Sequence, residues 1–246
     1  LALGFYNLAP IAGPAPTPWL YDDRLRLAGV HFAIDGGLST RTAWLKANHP
    51  CEYMAALISS VMNTKDRVPI YVNACDEMGI EVLPPDVNSS QVDFAVVEGK
   101  IRFGLNAVKN VGETAAARIV AAREEGGPFG SIWEFTERVD PQVVNKRSLE
   151  SLVKCGALDS TGASRMGMLG VLEQALGHGQ KLAQDRLMGQ SSLFDGGFGE
   201  PDGGAGVTHH PPIPPLEFEK QELLRLEKET LGLYVSEHPL SAVRDQ

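Results

Sequence analysis

A chain of 246 residues with 43% hydrophobic and 22% charged residues is long enough for one or two real cores and reads as soluble and globular. The formal net charge of -9 argues against a free-standing nucleic-acid binder, because such domains ordinarily carry a basic excess. Cys51, Cys75 and Cys155 fit no metal or redox spacing and read as small apolar residues in a reducing compartment, so no disulfide is expected.

Segment 1–40 is rich in Pro and Gly and weakly patterned, and it is expected to be poorly ordered. Leu1 to Leu20 lacks a basic leader and is broken by Pro10, Pro14, Pro16 and Pro18, which makes a poor signal peptide and excludes a membrane span. No membrane partner is expected, and the implied location is cytoplasmic. Asn48-His49-Pro50 then places a capping residue and a proline ahead of a helix over Cys51–Met62, whose apolar positions Met54, Leu57, Ile58, Val61 and Met62 recur at helical spacing. A second helix is predicted from Pro69 to Met78, stopped by Gly79. Ile80–Leu83 reads as a short strand ended by Pro84-Pro85. Phe94–Val97 and Ile101–Phe103 flank Glu98-Gly99-Lys100, a tight β-hairpin whose glycine supplies a positive φ.

The chemistry is concentrated downstream. Leu105–Lys109 is predicted as a short helix, Asn110-Val111-Gly112 as a turn, and Glu113–Arg123 as an Ala-rich helix, which together make a helix-hairpin-helix. Such a turn exposes backbone N–H groups at a helix N-terminus, where they and the helix dipole grip a phosphate oxygen without reading the base. Asn110 stands where many such hairpins have a first glycine, and asparagine is the next best residue for left-handed geometry. Ser131 and Glu134 form a capping box for a helix bearing Ile132, Trp133 and Phe135. Asp140-Pro141 starts another short helix, Asn145-Lys146-Arg147 makes a second hairpin, and Ser148–Cys155 its second helix before Gly156. The candidate DNA contacts are therefore Lys109, Asn110, Val111, Gly112, Asn145, Lys146 and Arg147. From Lys100 to Lys154 there are nine Lys/Arg against seven Asp/Glu, a local +2 that leaves -11 for the rest. Two hairpins on the one basic stretch favour a sequence-indifferent grip on a duplex; ordinary αα turns in a helical bundle are the alternative.

A long helix is predicted from Ala163 to Met188, interrupted at Gly177-His178-Gly179. It leads into Gly189-Gln190-Ser191-Ser192-Leu193-Phe194-Asp195, whose Leu193-Phe194 pair needs either a partner's pocket or the preceding helix to cover it. Asp195–Pro215 is a Gly-rich linker stiffened at its end by Pro211-Pro212-Ile213-Pro214-Pro215. His209-His210 reads as solvated, because no carboxylate or cysteine lies nearby in sequence to complete a metal site. The last helix, Leu216–Thr230, alternates Glu with Lys and Arg as a solvated face, and Leu231–Val235 turns extended.

Several of these stretches are similar, in order and spacing, to the bacterial replicative DNA polymerase III alpha subunit, the family C polymerases. They are Trp44-Leu45-Lys46-Ala47-Asn48-His49-Pro50, Gly79–Asn88, Phe103-Gly104-Leu105, Val144–Arg147, Lys154–Asp159, Glu229–Tyr234 and His238-Pro239-Leu240. The resemblance runs from about residue 41 onward and implies a C-terminal fragment, mainly α with small β elements. Its implied divisions are 1–40, a divergent or frame-altered lead-in; 41–103, the end of the fingers; 104–188, tandem helix-hairpin-helices; 189–215, a clamp-binding peptide and linker; and 216–246, a helix leading to a following domain. It implies duplex DNA, the sliding clamp and other replicase subunits as partners, with Gln190, Leu193 and Phe194 on the clamp peptide. In the family, three palm aspartates upstream of this region hold two Mg²⁺ ions. No Asp-x-Asp occurs here, so no catalytic or metal-binding residue and no cofactor is expected in the fragment, and it is expected to be inactive alone although the parent would use Mg²⁺. Where the family has Gly-Tyr-Gly-Phe-Asn-Lys-Ser-His, this chain has Gly29–Asp35 and lacks the Asn-Lys-Ser-His part. A non-catalytic helix-hairpin-helix protein of repair or recombination is the alternative reading.

Overall fold

A computed structural model describes residues 45–62, 64, 67–187 and 210–237. The predicted segment 1–40 and the clamp peptide Gln190, Leu193 and Phe194 lie outside the described residues. In chain order the elements are α1 (Pro50–Val61), α2 (Val68–Glu77), β1 (Val82–Leu83), β2 (Ala95–Val97), β3 (Lys100–Arg102), α3 (Glu113–Gly126), α4 (Ile132–Arg138), α5 (Lys146–Lys154), α6 (Arg165–Leu187) and α7 (Lys220–Leu231). Short 3₁₀ turns occupy Leu105–Ala107 and Asp159–Thr161. The strands form a small sheet in the order β1-β3-β2, so the architecture is mainly α with small β elements, as the sequence predicts. No helix among the described residues is long and apolar enough to cross a membrane.

The chain divides into two compact units, the first made of residues up to Glu81 together with Ala95–Ile101, the second of Val82–Phe94 and the chain from Arg102 onward. The first contains α1, which begins with Pro50 at its first turn and buries Met54, Leu57, Ile58 and Val61. Its hairpin turn takes positive φ at both Glu98 (53°) and Gly99 (77°), the mirror-image turn whose twist matches the flanking strands. The second unit contains the hairpin region. Its core is Phe103, Leu105, Ile119, Phe129, Ile132, Phe135, Leu149, Leu152 and Leu158, each almost fully buried. The Pro84–Ser90 loop knits this unit together. Asn88 exchanges hydrogen bonds with the Phe129 backbone (Nδ2 to O 3.0 Å, N to Oδ1 2.7 Å), and Arg123 donates to Val87 O and Ser90 O.

Several predicted elements change in the folded chain. Leu105–Lys109 shortens to a 3₁₀ turn, because Val108 is already extended and the Lys109 N–H donates to Thr230 O at 3.0 Å. Asp140–Val144 is a single turn rather than a helix, with Val143 and Val144 N–H both on Asp140 O, since Asn145 (ψ 174°) is extended to start α5. The Ser131/Glu134 box forms by half. Ser131 Oγ accepts from Glu134 N at 3.1 Å, but the Glu134 carboxylate accepts from Gly130 N at 2.8 Å and pairs with Arg138.

The largest corrections concern the carboxy-terminal third. Gly177-His178-Gly179 does not interrupt α6, which runs unbroken through it. A Cβ on Gly179 would lie 2.2 Å from Thr136 O, so this glycine is where α6 passes close against α4. The final helix is shorter than predicted: residues 216–219 are not helical, and Glu217 caps another helix instead. Its carboxylate accepts from the N–H groups of Arg165 (2.8 Å) and Met166 (3.1 Å), capping α6 from outside the helix.

From Glu217 back to His210 the chain forms a strap along α6. Ser164 Oγ donates to Pro214 O at 3.0 Å, and a Cβ on Gly167 would meet Pro214 O at 2.0 Å. The lengths agree: polyproline II advances about 3.1 Å per residue, so 210 to 217 spans roughly 22 Å, while an α-helix covers 165 to 178 in roughly 20 Å. The solvated His210 expected from sequence is therefore wrong. Its side chain is 22% exposed, its ring stacks on Trp133 with centroids 5.0 Å apart, and a carboxylate, Glu137, lies beside it. On α7 the expected solvated face is present, with Gln221, Arg225, Lys228 and Glu229 exposed, while Leu224, Leu226, Thr230 and Leu231 are buried; Glu227 departs from it, being buried with its carboxylate accepting from the N–H groups of Val235 and Ser236 and from Ser236 Oγ. The extended stretch expected after it instead turns at Gly232 (φ 83°) and buries Leu233.

Candidate nucleic-acid interface

The first hairpin turn takes the conformation its sequence asks for. Asn110 has φ 64°, the left-handed geometry that a glycine usually supplies in such turns, and Val111 N–H closes the turn on Val108 O at 3.1 Å. Val111 points inward and is buried, while Lys109, Asn110, Gly112, Glu113 and Thr114 are exposed. Gly112 is the N-cap of α3 and makes no side-chain cap. The first backbone bond of that helix runs from Ala116 N to Gly112 O, so the amides ahead of it have no partner within the helix, and of their residues Glu113 and Thr114 are exposed.

The second turn is built differently. Asn145 is the N-cap of α5, and its Oδ1 accepts from Ser148 N at 3.1 Å, so one amide of this helix start is already satisfied. Asn145, Lys146 and Arg147 are all exposed. What the sequence could not show is how the two turns are joined. Ser148 Oγ donates to Asn110 O at 2.6 Å, and Asn110 Nδ2 donates to Ser151 Oγ at 2.9 Å. The first turn thus sits on the helix that the second turn begins. Of the predicted contact residues, Asn110 is thereby joined to the helix that Asn145, Lys146 and Arg147 begin.

Sequence reasoning missed Ser148, Ser151 and Thr230, whose side chains or carbonyls hold the turns in place. Ser148 carried a local signal, three residues after an Asn N-cap, but Thr230 comes from α7 and had none. The charge around the site is modest. Lys146 forms an ion pair with Glu173 of α6, and the hydrogen bond to Glu173 holds the Lys146 ammonium above its ordinary range. Both partners are well exposed, so the pair is weak and screened by salt. Arg138 donates to Ala122 O and Gly127 O and Arg123 to the Pro84–Ser90 loop, so these cations are structural. Among the described residues, Arg102, Lys109, Arg118, Arg123 and Arg147 form no ion pair in this stretch, and of these Lys109, Arg118 and Arg147 are exposed. Near the first turn, burial and the neighbouring Glu113 push the Asp93 carboxyl above its ordinary range, and both acids oppose an anion there.

The remaining candidate chemistry is narrow. Burial pushes the thiols of Cys75 and Cys155 up to about 11 and about 12, so neither is a nucleophile at neutral pH. The two Mg²⁺ ions that the family resemblance places upstream have no fitting ligand set among the described residues. The only cluster of metal-ligating side chains there, Glu137, His178 and His210, offers two imidazoles rather than the oxygen ligands Mg²⁺ requires.

Residues 79–168 match the family model described as a helix-hairpin-helix motif. The chain is similar to the DNA polymerase III subunit alpha of Thermus aquaticus, 47% identical over 210 residues that cover 85% of this chain and 16% of that protein. It is 40% identical over 238 residues to the subunit of Mycobacterium tuberculosis, covering 94% of this chain and 20% of that one. Against the Pseudomonas aeruginosa subunit it is 36% identical over 226 residues, 85% of this chain and 19% of the other. The chain thus spans 16% to 20% of the length of these curated relatives.

Proposed function

This chain belongs to the bacterial DNA polymerase III alpha-subunit family, and from that premise we propose that it holds duplex DNA without sequence preference, within a protein whose whole activity is DNA-templated DNA synthesis in chromosome replication. The observation that supports the reading is the junction at Ser148, which ties the exposed first turn to the start of the helix that carries Lys146 and Arg147. Backbone amides and a few cations meet phosphates, so the contact is to shape and charge rather than to base identity. The same reading includes tethering to a sliding clamp through Gln190, Leu193 and Phe194. It also includes docking to other replicase subunits and a cytoplasmic location.

Affinity for a short duplex is expected to be weak and to fall steeply with salt. Replacing Lys146 and Arg147 together by Ala is expected to lower the slope of log affinity against log salt by up to about two, if each meets one phosphate. Lys146 must exchange Glu173 for the phosphate, so Glu173→Gln is expected to tighten binding. Fluorescence anisotropy over a salt series measures both, and an unchanged slope in the double variant would place the second turn away from DNA.

With Mg²⁺ and all four dNTPs, the chain alone is expected to extend no primer, because no Asp-x-Asp is present to hold the metal pair that positions the attacking oxygen. Sustained synthesis by the pure chain would overturn the division of labour proposed here.

A further inference from the structure

Away from the two turns, three metal-ligating side chains converge: Glu137 at the end of α4, His178 in the middle of α6 and His210 at the start of the strap. One donor atom from each lies within 4.8 Å of the others. Glu137 Oε1 is 3.3 Å from His178 Nδ1 and 3.0 Å from His210 Nε2. Around a tetrahedral ion with bonds of about 2.0–2.1 Å, neighbouring ligand atoms stand roughly 3.3–3.4 Å apart, so the Glu137–His178 edge matches such a site and the Glu137–His210 edge is slightly shorter. Glu137 Oε1 and His178 Nδ1 are buried, and neither has a hydrogen-bond partner. Both atoms are thus left open to a further partner, and a cation between them and His210 would relieve two otherwise unsatisfied buried atoms.

The frame around the three side chains is firm. Gly179 lets α6 approach Thr136 so closely that His178 and Glu137 face one another. The Trp133 ring lies parallel to His210 with an interplanar angle of 3°, and the far end of the strap is fixed by Glu217 on the α6 amides. Two imidazoles and one carboxylate are the donor set of zinc and neighbouring divalent transition metals. We propose that Glu137, His178 and His210 bind one such ion, with water as fourth ligand, and that the ion staples the strap to α4 and α6. The anchored point, His210, follows the Gln190–Phe194 peptide in the chain, so the ion would fix the downstream end of the segment that carries that peptide.

The test uses the full chain, stripped of metal with a chelator and dialysed against Zn²⁺, with bound metal counted by mass spectrometry and Co²⁺ used as an optical probe. One saturable Zn²⁺ per chain is expected, with tetrahedral visible bands for Co²⁺ and a higher melting temperature with Zn²⁺. Glu137→Gln and the double variant His178→Ala/His210→Ala are expected to lose at least about tenfold in affinity. His49→Gln and Cys51→Ser, which change other potential metal ligands of the chain, are expected to keep it. Should a variant fail to fold, diethyl pyrocarbonate labelling of the unmutated chain decides instead: Zn²⁺ protects His178 and His210 from modification. No stoichiometric binding, binding that survives the double variant, or labelling of both histidines unaffected by Zn²⁺ would overturn the site.

Discussion

Gly179→Ala is expected to destabilise the chain, whereas Gly177→Ala, two positions earlier in the same helix, is expected to stabilise it. Gly177 is exposed and a Cβ there meets nothing within 4 Å, so alanine brings only its helix preference, about 0.5–1 kcal/mol. Gly179 is buried, and the same methyl would stand 2.2 Å from Thr136 O and 2.8 Å from its carbonyl carbon. Those are backbone atoms and cannot swing aside, so α6 must lift from α4 and loosen the packing of Phe135 and Leu176. Overpacking of this kind costs roughly 1–3 kcal/mol beyond the propensity gained, and the melting temperature is expected to drop by several degrees. Thermal melts of the two variants side by side check the contact; shifts in the same direction would mean that the close approach of α4 and α6 does not hold in solution.

Phe194→Ala is expected to cost roughly 2 kcal/mol or more in clamp affinity, about thirtyfold, while leaving the melting temperature unchanged. A short linear peptide draws its affinity from a few anchors, and Leu193 and Phe194 are the large apolar side chains of Gly189–Asp195, with Gln190 proposed to fix orientation by hydrogen bonds. If the pair instead packs back onto its own chain, the pattern reverses: stability falls and clamp binding is untouched. Clamp affinity by surface plasmon resonance and a melt of the same preparation separate the two outcomes.

The hairpin region was legible wherever the requirement was local. Asn110 was expected in left-handed geometry and has φ 64°, because the need is set by two dihedral angles of one residue. Pro84-Pro85 ended a strand as expected, and Ser131 capped α4 through a bond three residues long. Legibility failed where a second partner competed. Glu134 turned from Ser131 to Gly130 and Arg138, and Glu217 left its own helix to cap α6, since a carboxylate takes the amides that tertiary packing leaves open. Gly177-His178-Gly179 looked like a break because glycine disfavours helix. Its real constraint was a carbonyl on another element, which no pattern along the chain reports.

Residue order alone thus determined the helical class, the left-handed first turn and the family, because periodicity, caps and left-handed positions act over a few neighbouring residues. The tertiary structure alone decided that Ser148 binds the first turn to the start of α5, that Lys146 is held by Glu173, and that His210 reaches Glu137 and His178. These contacts join residues 27 to 73 positions apart. Distance across such separations is set by how helices pack and where a glycine lets them touch, not by any local preference of the residues that meet.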